Sequence, residues 1–154
     1  ALPILLARAG FREHVSVNYS FNVIDERPET IRQTVAYHRE LERIFGADKV
    51  EPAIFFIGLQ PHTHLEQYGF DQGLIKPGYN PMSMLPWTAR QLLWNPEPMG
   101  STFGRICLEA FERNPGDFGR TVMDLLERDY GLAPLEEALH APVEGRRALA
   151  TATR

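Results

Sequence analysis

The stretch Ile54-Phe55-Phe56-Ile57-Gly58-Leu59-Gln60-Pro61-His62-Thr63-His64-Leu65 decides how this chain is read. Ile54 to Ile57 is a short unbroken apolar run, the pattern of a buried strand. Pro61 leads a turn, and the residues from His64 past Tyr68 read as a short amphipathic helix that stops before Gly73-Leu74-Ile75. A buried strand, a Pro-led turn, a short helix and Gly-Leu-Ile form a recurrent layout.

Upstream, Val15, Val17, Tyr19, Phe21 and Val23 alternate with Ser16, Asn18, Ser20 and Asn22. Strict alternation predicts a strand over 15–24 with one apolar and one polar face. The polar face has two readings. It is the wet side of a half-exposed antiparallel strand, or, in a parallel unit, it lines a barrel lumen while the apolar face packs on helices. Pro28 and Glu29 then open a helix, since Pro is tolerated in the first turn and an acid is favoured at the positive end of the dipole. Ile31, Val35, Leu41, Ile44 and Phe45 recur at helical spacing, and Gly46 ends the element. His38 lies near this stripe, where packing is the expected role. A second strand follows over 50–58. Strand, crossover helix and strand imply a parallel pair joined by a right-handed connection.

Downstream of Lys76 the chain is punctuated by Pro77, Gly78, Pro81, Pro86, Pro96 and Pro98, with a short helix expected around 88–93. Two amphipathic helices come next. One spans about 101–113, with Phe103, Ile106, Cys107, Ala110 and Phe111 on one face. The other spans about 118–130, with Val122, Leu125 and Leu126 apolar. Asn114-Pro115-Gly116-Asp117 is a turn signal with Asp117 as N-cap. The Ala/Arg/Thr-rich segment 142–154 reads as a disordered tail.

The 154 residues suffice for one ordinary domain, and 44% hydrophobic content fits a globular chain. A net charge of −4 without a basic run argues against nucleic acid as the main partner. No apolar run approaches the length of a membrane span. The single cysteine, Cys107, excludes an internal disulfide framework, suggests a reducing compartment, and is too few for an iron–sulfur cluster, which needs about three or four thiolates. Two strands alone make no stable sheet, so Tyr19, Phe55 and Phe56 call for further strands beside them and the chain reads as a piece of something longer.

The strand, turn and helix of residues 54–75 resemble the last barrel strand of radical S-adenosylmethionine enzymes, where the pattern runs roughly Pro-x-Pro-Gly-Thr-x-Leu-Tyr and then Gly-Leu-Ile. His62 stands where that family has Gly. The fifth strand of such barrels ends in a motif like Gly-Leu-Pro-Gly-Glu-Thr, of which Glu29-Thr30 is retained here. The resemblance covers about residues 5–80. It implies an α/β fold: the C-terminal part of a partial (β/α)6 TIM-like barrel over 1–80, followed by an α-helical extension over 81–141. Lys76-Pro77-Gly78-Tyr79-Asn80-Pro81 and the helices with Phe103-Gly104-Arg105 and Asp117-Phe118-Gly119-Arg120 resemble the extension of the cobalamin-binding subfamily.

The same resemblance implies a [4Fe-4S] cluster held by cysteines in an N-terminal remainder of the same polypeptide. It further implies cleavage of S-adenosylmethionine to a 5′-deoxyadenosyl radical, then hydrogen abstraction or methyl transfer, with cobalamin as a further cofactor. Asn18, Ser20 and Asn22 on the fifth strand and Gln60 at the mouth of the sixth are the implied cofactor contacts, because ligands sit at the carboxyl ends of parallel strands. The expected location is cytoplasmic, and the substrate is not legible.

Two rival readings use the same residues. His62-x-His64 after a buried strand also resembles the opening of amidohydrolase barrels, where both imidazoles bind a catalytic metal. Gln60 replaces the usual acidic partner there, and no third ligand stands out. The other rival is a non-catalytic α/β interaction module. There is no Gly-x-Ser-x-Gly elbow and no glycine-rich phosphate loop.

Overall fold

The computed structural model of the chain describes residues 2–75, 79 and 93–134. Helix α1 (Leu2–Arg8) leads into β1 (Val15–Ser20), α2 (Pro28–Phe45) and β2 (Val50–Phe55). A two-residue β3 (Ile57–Gly58) and α3 (His64–Asp71) follow. Then come β4 (Leu93–Trp94), α4 (Met99–Arg113), a 3-10 turn at Pro115–Asp117, and α5 (Phe118–Tyr130).

The parallel pair is present. β1 and β2 align from Val15 opposite Val50 to Ser20 opposite Phe55. The alternation in β1 is what sets its faces: Val15, Val17 and Tyr19 turn toward the helices, and Ser16, Asn18 and Ser20 are exposed. The fold is therefore mixed α/β with a two-stranded parallel sheet, and among the described residues no further strand joins this pair to close a barrel.

The strands are shorter than the alternation predicts. β1 stops at Ser20 because Asn22 and Asp25 adopt left-handed backbone, with φ of 56° and 63°. Asn and Asp tolerate that region, and it breaks the pleat. The second strand divides at Phe56: Ile57 and Gly58 leave β2 and pair antiparallel with Trp94 and Leu93. Leu93 thus belongs to a strand and not to the helix expected at 88–93; residues 88–92 and the expected tail at 142–154 lie outside the described residues.

The helix boundaries follow the sequence closely. Gly46 ends α2, its N–H donating to Glu42 O at 2.8 Å. Asp117 precedes α5 as expected, but its carboxylate pairs with Arg120 Nε at 3.1 Å and caps no backbone N–H. Phe111 departs from the expected apolar face: it is 62% exposed, because the buried stripe of α4 is Phe103, Ile106 and Ala110 and Phe111 lies 100° beyond its edge.

The core lies between the sheet and the helices. Tyr19, Phe21, Ile31 and Val35 meet Phe103, Ile106, Val122, Met123, Leu125 and Leu126. Burial of each aliphatic side chain contributes roughly 1.5–3 kcal/mol. A second cluster joins Ala7 of α1 to Leu41, Phe45 and Val50. His38 is fully buried, as packing near the stripe predicts, and its Nδ1 lies 3.1 Å from the Tyr19 hydroxyl. Burial raises the Tyr19 hydroxyl pKa and lowers that of His38. Glu42 sits 3.4 Å from His38 Nε2 and accepts from Arg39 Nη1 at 2.7 Å and Arg120 Nη1 at 2.8 Å. This polar seam ties α2 to α5.

Candidate functional site at the carboxyl ends of the strands

The loops leaving β1 and β2 converge on the β4–α4 junction. Asn22 is 4% exposed, and its Nδ2 donates to Asn95 Oδ1 at 2.6 Å and to Pro96 O at 2.9 Å. Asn95 in turn donates to Gly100 O at 3.0 Å. Gly100 must lack a side chain, since a Cβ there would overlap the Asn95 carbonyl. Asn22 therefore leaves the polar row of Asn18 and Ser20. Its left-handed backbone swings the amide off the sheet face and onto the chain that enters α4.

Glu26 lies on the same loop. Its carboxylate accepts from the Thr30 hydroxyl and from the backbone N–H groups of Asn22 and Val23. Burial outweighs these bonds and raises its pKa above the ordinary carboxylate value.

On the other side of the mouth, Gln60 is exposed and its carbonyl accepts from the Thr63 hydroxyl at 2.8 Å. His62 has φ of 61°, and its N–H donates to Glu66 Oε2 at 2.8 Å. Glu66 N–H donates to Thr63 Oγ1 at 3.3 Å, which caps α3. His62 and His64 are both exposed, and among the described residues no group of three His, Cys, Asp or Glu side chains is gathered in a way that could hold a metal ion.

Between these loops lies a cleft of about 440 Å³, walled by Leu59, Leu74, Ile75, Trp94 and Pro96. A smaller hollow of about 160 Å³ adjoins it and reaches Asn22, Asp25 and Glu26. The charged residues on their described walls are Asp25, Glu26 and Glu97. Trp94 is buried and lies 5.9 Å from the Tyr68 ring. Gly69 makes the seat: a Cβ there would press on Ile75 at 2.7 Å.

The structure thus brings Asn22 to this mouth and leaves Asn18 and Ser20 on the open sheet face. Gln60 stands at the start of the turn into α3. Trp94, Asn95 and Glu97 were invisible to sequence reasoning. They follow a proline-rich connector without periodicity, and only their tertiary pairing with β3 and Asn22 marks them. The one available signal was polar Asn95 between Trp94 and Pro96, a strand end meeting a turn.

All three non-glycine residues with left-handed backbone among the described residues, Asn22, Asp25 and His62, lie in these loops. Such conformations cluster at functional sites, although Asn, Asp and His carry them at the lowest cost. No protein-family model, curated protein or solved structure matches the chain.

Proposed function

We propose that this chain forms the closing part of a parallel α/β barrel of the radical S-adenosylmethionine type, supplying wall and rim to a cofactor site built mainly elsewhere in the polypeptide. One observation carries the proposal. Among the described residues the parallel β1–β2 pair is covered by helices on one face only, and the other face presents Ser16, Asn18 and Ser20 exposed. Parallel sheets are ordinarily covered on both faces. A row of hydroxyl and amide groups is poorly suited to a dry helix interface and well suited to a wet lumen.

The residues of this chain fit part of the implied chemistry. Asn18 and Ser20 offer donors and acceptors to a polar cofactor, and Gln60 does so at the rim. Asn22, committed to Asn95 and Pro96, holds the rim in place. The iron–sulfur cluster does not fit here. Cys107 is the only thiol, it is half-buried in α4, and burial raises its pKa, which disfavours the thiolate a cluster needs. Cluster ligation, and cobalamin binding if methyl transfer is the reaction, therefore belong to other parts of the polypeptide. When bound, S-adenosylmethionine supplies the radical chemistry; this chain's share is to bind, orient and enclose it.

The test is anaerobic reconstitution of the polypeptide expressed from the start of its reading frame, followed by reduction in the presence of S-adenosylmethionine. The proposal expects 5′-deoxyadenosine to be released, with weaker cofactor binding in Asn18→Ala and Ser20→Ala. A product that takes up no iron and sulfide, or releases no 5′-deoxyadenosine, rules the assignment out.

A further inference from the structure

We propose that the two adjoining hollows form one binding site for a small apolar ammonium compound. Its cation sits in the smaller hollow, its apolar body in the larger cleft, and a neutral oxygen of the ligand meets the Trp94 indole N–H between them. The two spaces join at Leu74, Trp94, Pro96 and Glu97, which line both. The cleft, at about 440 Å³, falls within the roughly 300–1,000 Å³ of small-molecule sites. Its described walls are mainly apolar, and Ile24, Leu74 and Leu93 are exposed at the rims.

The charge of the ligand follows from the smaller hollow. Asp25, Glu26 and Glu97 all line it, and among the described residues no Lys, Arg or His lines either space. Arg27, next in sequence to Glu26, is exposed and lines neither. Elsewhere the acids are neutralised: Glu42, Glu109, Asp124 and Asp129 each pair with arginine. Asp25, Glu26 and Glu97 form no ion pair among the described residues. A recess carrying one sign of charge against apolar walls concentrates the opposite ion. Glu26 is half-buried, and its burial without a countercharge raises its pKa, a cost that a bound cation offsets.

The oxygen follows from Trp94. The Cζ3 edge of its ring faces Gly69 of α3, since a Cβ there would lie 3.3 Å away. Nε1 is on the opposite side of the indole, turned away from α3. It is buried, and it has no hydrogen-bond partner among the described residues. A buried indole N–H ordinarily has one. A ligand lying across the junction of the two hollows brings an acceptor to this ring while its ammonium reaches the carboxylates. The inference does not rest on the radical-enzyme proposal, because every residue it uses belongs to this chain and no cluster is needed.

Proton–nitrogen correlation NMR of the 154-residue chain tests it with phenylalaninol, an amino alcohol with a phenyl body. Comparison with Trp87→Phe identifies the Trp94 indole signal. Saturable shifts are expected at the Asp25, Glu26 and Leu74 amides, with the Trp94 indole proton moving downfield. N-acetylphenylalaninol lacks the charge and phenylalanine adds a carboxylate. Each should bind about tenfold more weakly, the worth of one charge-assisted hydrogen bond. Asp25→Asn, which keeps a residue tolerant of left-handed backbone, and Glu97→Gln should each weaken phenylalaninol by a similar factor. Equal affinity for the free and acetylated amines overturns the inference. So does unaltered affinity in both variants, or a Trp94 indole signal that does not move. Binding here together with no release of 5′-deoxyadenosine by the longer polypeptide would overturn the radical-enzyme reading alone.

Discussion

On one face of the β1–β2 pair, Val17, Tyr19, Val50 and Pro52 meet α2 and α5; on the other, Ser16, Asn18, Ser20 and Phe55 face outward. The same six-residue strands thus present a packed side and an exposed side. The packed side is held by several independent constraints: apolar packing, the Tyr19–His38–Glu42 seam, and the close backbone approach of Gly119 to Pro52. The bare side carries short polar groups and one 51% exposed phenyl ring, Phe55. Stability resides on the first, and the chemistry of the proposed function on the second. Substitutions should therefore separate the faces by cost, and five measurements can break or sharpen that division.

The largest effect is expected at Gly119. Its Cβ would overlap the Pro52 carbonyl, so Gly119→Val must displace α5 from β2. Overpacking against backbone costs about 3 kcal/mol. A urea midpoint within experimental error of the unaltered chain would show that α5 does not press on the sheet.

Next comes Glu42→Gln. The side chain is 11% exposed and bridges Arg39 and Arg120 beside His38. Removing its charge leaves two guanidinium groups without their shared partner, at a cost of about 2 kcal/mol after allowance for their partial exposure. A double-mutant cycle with Arg120→Met should show coupling between the two positions. Additive effects would mean that the seam is incidental to the packing of α2 on α5.

A smaller change is expected from acid. Burial, chiefly, lowers the pKa of His38; Arg39 and Arg120 lower it further, and Glu42 and Asp124 oppose them. A histidine with a depressed folded pKa binds its proton more readily when unfolded. Stability is then full above the ordinary histidine value of 6.5 and declines as pH falls below it toward the folded pKa. Unfolding midpoints between pH 7 and 5 should decline in the unaltered chain and decline less in His38→Gln. Equal slopes in the two proteins would place the acid sensitivity elsewhere. Tyr19→Phe, which removes the hydroxyl beside His38 Nδ1, should cost about 1 kcal/mol at pH 7.

The smallest effects belong to the bare face. Asn18→Ala and Ser20→Ala should each change stability by less than about 0.5 kcal/mol in this chain, since both are exposed and their side chains make no hydrogen bond among the described residues. A cost above about 1 kcal/mol at either position would show that this face is not free and would erase the contrast between the two sides.

The comparison also separates what could be read in advance from what could not. Periodicity is a local property of the chain, and it predicted α2, α4 and α5 to within two residues; the crossover through α2 predicted the parallel pairing of β1 and β2. It failed where one residue's backbone changes course. Asn22 continues the alternation of β1 in sequence, yet its φ of 56° takes it out of the strand. Phe111 is apolar and next to the buried stripe, and only the direction from which α5 approaches leaves it outside.

By itself, the sequence determined a strand–helix–strand unit, its parallel sense, the apolar face that meets the helices and the absence of cluster-binding thiols. Those features depend on side-chain spacing, on crossover handedness and on counting. Only the tertiary structure decided that Asn22 clamps the β4–α4 junction, that Trp94 and Asn95 share the mouth with the β1 loop, and that Gly119 and Arg120 lie against the backbone of β2. These contacts join residues about 70 positions apart, and no local pattern encodes which distant backbone a carbonyl or an amide will meet.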